Sequence, residues 1–178
     1  MRLVRLLGLV CAGMASTTVP AAAQGFFTPF VGYNYGGDSL NCISLRNCDE
    51  RRTNLGISFG RTGQYAGTEQ DISYASHFFG DREDANNSMF TAMTNFLVIV
   101  PVGPVRPYGV LGFGLVRPMG KNALGYDIGL GTNVFFTKRF GVRADLRRMR
   151  SLQDVELFEF TEGHKVDYWR ASLGVTFR

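Results

Sequence analysis

Hydrophobic and polar residues alternate along most of the chain after residue 24. Near the end of the sequence, for example, Trp169 and Phe177 share an apolar face, whereas Arg170 belongs to the polar one. Such alternation predicts β-strands whose two faces meet different surroundings. Glycine, proline and polar residues divide the pattern into eight predicted strands, at residues 25–36, 53–62, 65–79, 89–100, 106–117, 123–136, 140–150 and 165–178.

The connections between these strands alternate in length. Tight turns at 62–64, 101–104 and 137–139 follow the second, fourth and sixth strands. Longer or more polar connections follow the others, at 37–52, 80–88, 118–122 and 151–164. Short turns at one end and longer loops at the other are typical of outer-membrane barrels. The sequence therefore predicts an all-β fold, an eight-stranded antiparallel up-and-down transmembrane β-barrel.

The size of the side chains on each face indicates which face points inward. The strands of a soluble β-sandwich also alternate polar and apolar residues, so the alternation alone does not distinguish a sandwich from a membrane barrel. Here the polar face is rich in glycine, while the apolar face carries the large residues. Small barrels have narrow interiors that side chains fill, which favours a polar lumen and a lipid-facing apolar exterior. A lipocalin-like barrel would instead place its charges outside and an apolar cavity inside.

Charged residues occupy the polar face of several predicted strands. We expect them to form a salt-bridged plug, because close charges of opposite sign offset the cost of leaving water. An alternative is that they act as acid/base groups or as an ion path. The predicted lumen charges are Glu69, Asp71, Asp127, Arg143, Asp145, Arg147 and Arg170.

Aromatic residues collect near the predicted strand ends, where outer-membrane barrels carry interfacial girdles. Ordinary β-propensity is the alternative explanation. The residues concerned are Phe26, Phe27, Tyr33, Tyr35, Phe78, Phe79, Phe135, Phe136, Phe140, Tyr168, Trp169 and Phe177.

The N-terminus has the layout of a secretory signal peptide. A basic start precedes an apolar stretch, and small residues lead up to Ala23. We expect cleavage between Ala23 and Gln24, which leaves residues 24–178 as the barrel domain; an N-terminal anchor helix is the alternative. Together with the predicted barrel, this layout predicts export to the outer membrane of a Gram-negative-type bacterium.

Removal of residues 1–23 changes the apparent basicity of the chain. The full sequence has 19 basic and 15 acidic residues, and the signal peptide takes Arg2 and Arg5 with it, so the net charge falls from +4 to +2. The remaining basic residues form no dense run of the kind that binds nucleic acid. Nucleic acid is therefore not an expected partner.

Cys42 and Cys48 are the cysteines that remain after residue 23. Two cysteines this close in an exported protein predict a disulfide, because the periplasm is oxidising. A metal site is the alternative, but no histidine or further cysteine lies nearby in the sequence. We expect no metal and no cofactor.

Three stretches carry a resemblance to a known family. They are the strand that begins Arg106-Pro-Tyr108 and runs through repeated glycines to Gly114, the stretch 125–131, and the ending Gly174-Val-Thr-Phe177. Over residues 24–178 the chain resembles the small outer-membrane barrels called porin-family or OmpA/OmpX-like. The resemblance implies insertion by the barrel-assembly machinery, which reads an aromatic residue at the end of the last strand. Phe177 fits that role, although Arg178 follows it.

The function expected from these features is that of a non-enzymatic barrel with a side-chain-filled lumen. It would support envelope integrity, contact surface or host ligands through its outer loops, and lie in outer-membrane lipid. A narrow, low-conductance pore is one alternative. A lipid-modifying barrel enzyme is another, but it would need a serine activated by histidine.

Histidine is scarce in this sequence, which has only His77 and His164. Ser76 and His77 are adjacent on a predicted strand and so face opposite ways. Ser73 and Glu69 share the face of His77, yet their order and spacing match no acyl-hydrolase signature. The sequence therefore predicts no enzyme.

Overall fold

The computed structural model describes residues 23–37, 53–76, 78, 88–153 and 165–178. Most of the predicted signal peptide, both cysteines of the predicted disulfide, both histidines and much of three long connections lie outside these residues. The strands are β1 (Gln24–Tyr35), β2 (Thr53–Thr62), β3 (Ala66–Ala75), β4 (Met89–Ile99), β5 (Val105–Pro118), β6 (Ala123–Phe135), β7 (Phe140–Ser151) and β8 (Asp167–Phe177).

Each strand pairs with its sequence neighbours, and β1 pairs with β8. The result is a closed barrel of eight antiparallel strands, which confirms the predicted fold class. Closure leaves no sheet edge unpaired, the condition under which a sheet can enter a hydrocarbon layer. Within the described residues, no helix has the length and apolar character needed to cross a membrane.

The strand bounds follow the sequence prediction within two residues, except at the end of β3. That strand was predicted to reach residue 79 but ends at Ala75, and a turn follows at Ser76. Beyond the turn, Phe78 is buried, with its ring centroid 4.7 Å from that of Tyr168. The chain therefore bends over the lumen instead of continuing the barrel wall.

The two ends of the barrel differ in their connections. The end that holds the β2–β3, β4–β5 and β6–β7 turns is called the turn end below, and the opposite end is called the loop end. Backbone hydrogen bonds close the turns tightly, such as Gly63 N to Ala66 O at 2.8 Å and Val102 N to Val105 O at 2.9 Å. Gly103 has a φ of +61°, which a side chain would strain.

The outward face of the strands is apolar over most of the wall. Leu130 is 70% exposed, and Phe113 and Leu173 are each 65% exposed. Soluble monomers rarely leave so continuous an apolar surface in water. Further members of this surface are Val31, Leu55, Ile57, Phe96, Val98, Leu111, Leu124, Ile128, Val142 and Leu146.

Aromatic residues at the strand ends divide between the two faces. At the turn end, Phe140 packs against Phe177 with ring centroids 5.9 Å apart, and both are exposed on the outer wall. Phe26, Phe78 and Tyr168 are instead buried inside the barrel. The prediction that these three belong to an interfacial girdle was wrong, because they lie on the inward side.

The lumen has three layers. A loop-end apolar cluster and a turn-end apolar cluster enclose a polar and charged layer between them. The alternation of polar and apolar residues predicted a polar lumen throughout. The structure shows instead a polar middle layer between two apolar clusters. The loop-end cluster comprises Ala75, Phe78, Met89, Met93, Val116, Met149, Val166 and Tyr168, and the turn-end cluster comprises Phe26, Leu97, Ile99, Tyr108 and Val110.

Candidate functional site

The middle layer of the lumen holds the charged side chains that the sequence singled out. They project from inward positions of β3, β6, β7 and β8, and all are almost fully buried. We call this set the lumen charge cluster: Glu69, Asp71, Asp127, Arg143, Asp145, Arg147 and Arg170.

Arg147 lies at the centre of the lumen charge cluster. Its Nη2 atom is 2.8 Å from Glu69 Oε1 and 3.0 Å from Asp145 Oδ1. Its Nη1 atom is 3.2 Å from Asp127 Oδ2 and 3.5 Å from Asp71 Oδ2. One guanidinium on β7 therefore ties together carboxylates from β3, β6 and its own strand. The planar fork of arginine suits such multiple pairing.

Arg143 forms the turn-end side of the cluster. Its Nη1 atom is 2.6 Å from Glu69 Oε2, and its Nε atom donates to Asp145 Oδ2 at 2.7 Å. Tyr108 donates its hydroxyl to Asp145 Oδ1 at 2.5 Å, and the Arg143 guanidinium lies 4.9 Å from the Tyr108 ring centroid. The tyrosine thus contributes both a hydrogen bond and an aromatic face to the ion pairs.

Arg170 forms the loop-end side of the cluster. It donates through Nη2 to Asp71 Oδ2 at 2.9 Å and through Nη1 to Ser73 Oγ at 3.0 Å. Its guanidinium also lies 4.9 Å from the ring centroid of Phe30. The strands β8 and β3 are not neighbours in the barrel. These contacts therefore cross the lumen to join them.

Neutral polar side chains complete the network. Asn95 donates to Glu69 at 2.9 Å, and Ser58 donates to Asp71 at 3.0 Å. Ser73 and Thr91 share a hydrogen bond of 2.8 Å. Tyr108, Asn95 and Ser58 were not among the predicted lumen residues. All three lie at inward positions beside charged residues, and that shared face was the signal that could have identified them.

The cluster contains four carboxylates and three guanidinium groups, all withdrawn from water. Of the carboxylate oxygens, Glu69 Oε2 and Asp71 Oδ1 have no well-oriented hydrogen bond but lie 2.6 and 2.9 Å from arginine nitrogens. Asp127 Oδ1 is buried and has neither kind of contact among the described residues. Ion pairing thus compensates nearly every charge that folding buries.

Gly112 makes room for this arrangement. It is inward on β5 and lies in register with Asn95 on one side and Asp127 on the other. A Cβ atom added at Gly112 would overlap the side-chain oxygens of both neighbours. Glycine at this position therefore lets two large polar side chains meet across its backbone.

The described residues form a small cavity at the turn end of the lumen. Its volume is about 10 Å³, which is about what one water molecule needs. It lies between the turn-end apolar cluster and the barrel mouth, next to Arg143. The buried side chains of the lumen charge cluster thus occupy the middle layer, and the adjoining cavity has room for about one water molecule.

No arrangement for nucleophilic or metal chemistry is present in the described part of the chain. No group of three histidine, cysteine or acidic residues there could hold a metal ion. Ser73 and Glu69 do share the inward face, but Ser73 contacts Thr91 and Arg170, and Glu69 pairs with arginines. Neither contact supplies the general base that a serine nucleophile requires.

The remaining predicted sites lie at the barrel termini or outside the described residues. Ala23 directly precedes β1, which begins at Gln24. Phe177 ends β8 and faces outward at the turn end. Cys42 and Cys48 are outside the described residues, so their predicted disulfide stays a prediction.

Comparison with known proteins gives one family match. A family model described as an outer membrane protein beta-barrel domain matches residues 8–178. None of the curated proteins compared with the sequence is significantly similar to it.

Several solved structures share this architecture. Neisserial surface protein A is 14% identical with a TM-score of 0.63, covering 88% of this chain and 98% of that one. OprH of Pseudomonas aeruginosa is 16% identical with a TM-score of 0.53, covering 86% and 98%. The N-terminal barrel of P. aeruginosa OprF is 16% identical with a TM-score of 0.52, covering 87% and 96%. At these identities the likeness concerns the fold.

Proposed function

The chain belongs to the outer membrane protein β-barrel family, and from this premise we propose that it is a non-enzymatic, non-conducting barrel that supports the bacterial envelope. Family membership places it in the outer membrane of Gram-negative bacteria, with lipid against its apolar wall. We further propose that residues 1–23 are removed on export and that the barrel-assembly machinery reads Phe177 during insertion.

The lumen charge cluster is the observation that carries the proposal. Arg147 and Arg170 join strands on opposite sides of the barrel, and their partners are buried with them. An ion crossing this layer would have to displace arginine–carboxylate pairs at contact distance, which buried pairs resist strongly. The cluster therefore links the strands across the lumen and keeps the lumen closed. The pore alternative would require a water-filled path instead.

The contacts of Ser73 support the proposed non-enzymatic role. Ser73 is held by Arg170, a cation that cannot accept its proton. Contacts with surface or host ligands are assigned, as part of the proposal, to the connections at the loop end. Residues 37–52 belong to that set and contain the proposed Cys42–Cys48 disulfide.

Single-channel recording in planar bilayers tests the closed lumen. Folded protein, identified by heat-modifiable migration on a gel, is expected to give no discrete current steps, because side chains fill the middle layer. A general porin reconstituted at the same protein-to-lipid ratio serves as the positive control. Reproducible steps from the folded protein, absent from boiled samples, would contradict the proposal and favour the pore.

Deletion of the gene tests the envelope role. The deletion strain is expected to become more sensitive to detergents and bile salts, and the wild-type chain should restore resistance. Restoration by a folded but loop-shortened chain would assign the effect to the barrel itself. Unchanged sensitivity across these agents would contradict a supporting role.

A further inference from the structure

The turn end of the barrel carries an unbalanced positive charge. The segments that form it are fully described and contain no acidic side chain. Arg148 on β7, for comparison, has the carboxylate of Asp167 at 2.6 Å. The basic residues of the turn end are Arg61, Arg106, Lys138, Arg139 and Arg178.

Two of these arginines converge inside the mouth of the lumen. Arg106 is at an inward position of β5, and Arg178 directly follows β8. Both guanidinium groups lie against the ring of Phe135, at 3.7 Å from its centroid for Arg178 and 5.8 Å for Arg106. The backbone N–H of Arg178 donates to Arg139 O at 3.0 Å, which fixes the residue beside the last turn.

No acidic side chain among the described residues compensates these like charges. No carboxylate side chain there lies within 4.0 Å of either guanidinium. Burial and the neighbouring positive charge of Arg106 lower the pKa of Arg178 to about 10. Two cations brought together without an acidic side chain beside them favour an anion that joins them.

Unpartnered polar atoms border the same space. The Nε atom of Arg178 and the Oγ1 atom of Thr62 are buried and have no hydrogen-bond partner among the described residues. Arg106, Arg178 and Thr62 all line the turn-end cavity, together with Asn133. Buried donors without partners are uncommon in native proteins and call for a ligand or an ion.

We propose that the turn-end cavity, lined by Arg106, Arg178 and Thr62, is a binding site for a phosphate group that approaches from the turn end. A phosphate dianion matches two uncompensated guanidinium groups in charge, and its oxygens match their paired N–H donors. The cavity of about 10 Å³ admits only part of the phosphate, so the rest of the ligand stays outside the mouth. This inference goes beyond the proposed structural role and does not depend on a closed lumen.

Titration with inorganic phosphate tests the site. The full mature chain is placed in nanodiscs of zwitterionic lipid, and phosphate is added at constant ionic strength and pH 7.5. The Nε–H signal of Arg178 should shift and saturate. Affinity by calorimetry should fall about ten- to a hundredfold in Arg106→Gln and Arg178→Gln, because each loses charge-assisted hydrogen bonds.

Matched variants distinguish binding at this site from non-specific attraction of phosphate to the positively charged turn end. Arg61→Gln and Arg139→Gln remove exposed cations of the same end that do not line the cavity, and they should bind as the wild type does. Arg178→Lys keeps the charge without the fork and should bind with intermediate affinity. Arg106 and Arg178 are partly exposed at the barrel mouth, so all variants should fold, which heat-modifiable migration checks.

A second arm distinguishes the source of the phosphate. If phospholipid headgroups occupy the site, the apparent affinity for inorganic phosphate should fall as anionic lipid replaces zwitterionic lipid; an unchanged affinity assigns the site to soluble phosphates. The proposal is overturned if wild-type binding does not saturate, or if Arg61→Gln weakens it as much as Arg106→Gln does.

Discussion

Arg147 and Arg148 are neighbours on β7, yet they belong to different environments. Arg147 points inward, is fully buried and contacts four carboxylates. Arg148 points outward, keeps 47% of its side chain exposed and pairs with Asp167 at 2.6 Å. The same residue type in adjacent positions of one strand thus serves as a central cross-link in one case and as a surface ion pair in the other.

The difference between the two faces lies in what surrounds a side chain. Inside, each polar group has fixed partners. Replacing one residue therefore leaves its former partners buried without a hydrogen bond or ion pair. Outside, the hydrocarbon surroundings are fluid and adapt to shape, so a lipid-facing position mainly requires apolar character. An inward position therefore requires one particular amino acid, whereas an outward position requires only that the residue be apolar.

Replacing Arg147 with alanine should give the largest loss. Glu69, Asp71, Asp127 and Asp145 would lose their shared cation while staying buried, which is expected to cost about 3–5 kcal/mol. Arg148→Ala is the matched control and should leave stability almost unchanged. Its pair with Asp167, the first residue of β8, is exposed at the loop end, where salt screens it. Urea unfolding in lipid vesicles, followed through the single tryptophan Trp169, measures both. Equal losses in the two variants would contradict the distinction between the faces.

A charge on the outer wall probes the lipid side of the comparison. Leu130 is exposed on the middle of β6, and Leu130→Arg should cost about 2–4 kcal/mol because an arginine there enters hydrocarbon. Leu124→Arg is the control, because Leu124 lies at the loop-end edge of the same strand, where the cost falls to about 0–1 kcal/mol. The same unfolding measurement applies. A loss at Leu124 as large as that at Leu130 would mean that the hydrocarbon band extends to the loop end.

The wall of the barrel could be predicted from sequence because its signal is local. Alternation with a period of two gave the strands and their faces, and it placed Asp127 and Arg143 on the inward side. Turn residues such as Gly103 marked where the chain reverses. These features depend on neighbours along the chain, which the sequence displays directly.

The layering of the lumen depends on register between distant strands. Phe26 and Phe177 are both aromatic residues at the turn end, but one is inward and the other outward. Tyr108 on β5 reaches Asp145 on β7 through the barrel interior, past the intervening β6. Neither relation is visible in the alternation of a single strand, because closure and stagger decide which inward residues share a level.

A pair of glycines on β5 offers the finest test of the comparison. Gly112 is inward between Asn95 and Asp127, whereas a Cβ at the outward Gly109 would meet nothing closer than Leu130 at 4.0 Å. Gly112→Val should lower the unfolding free energy by about 1–3 kcal/mol, because the added atoms force two packed side chains apart. Gly109→Val should leave stability unchanged or raise it, since valine favours strands and would face lipid. If both valines were equally tolerated, the lumen would be more adaptable than its buried ion pairs imply, and the specification of inward residues by identity would not hold at this level of the barrel.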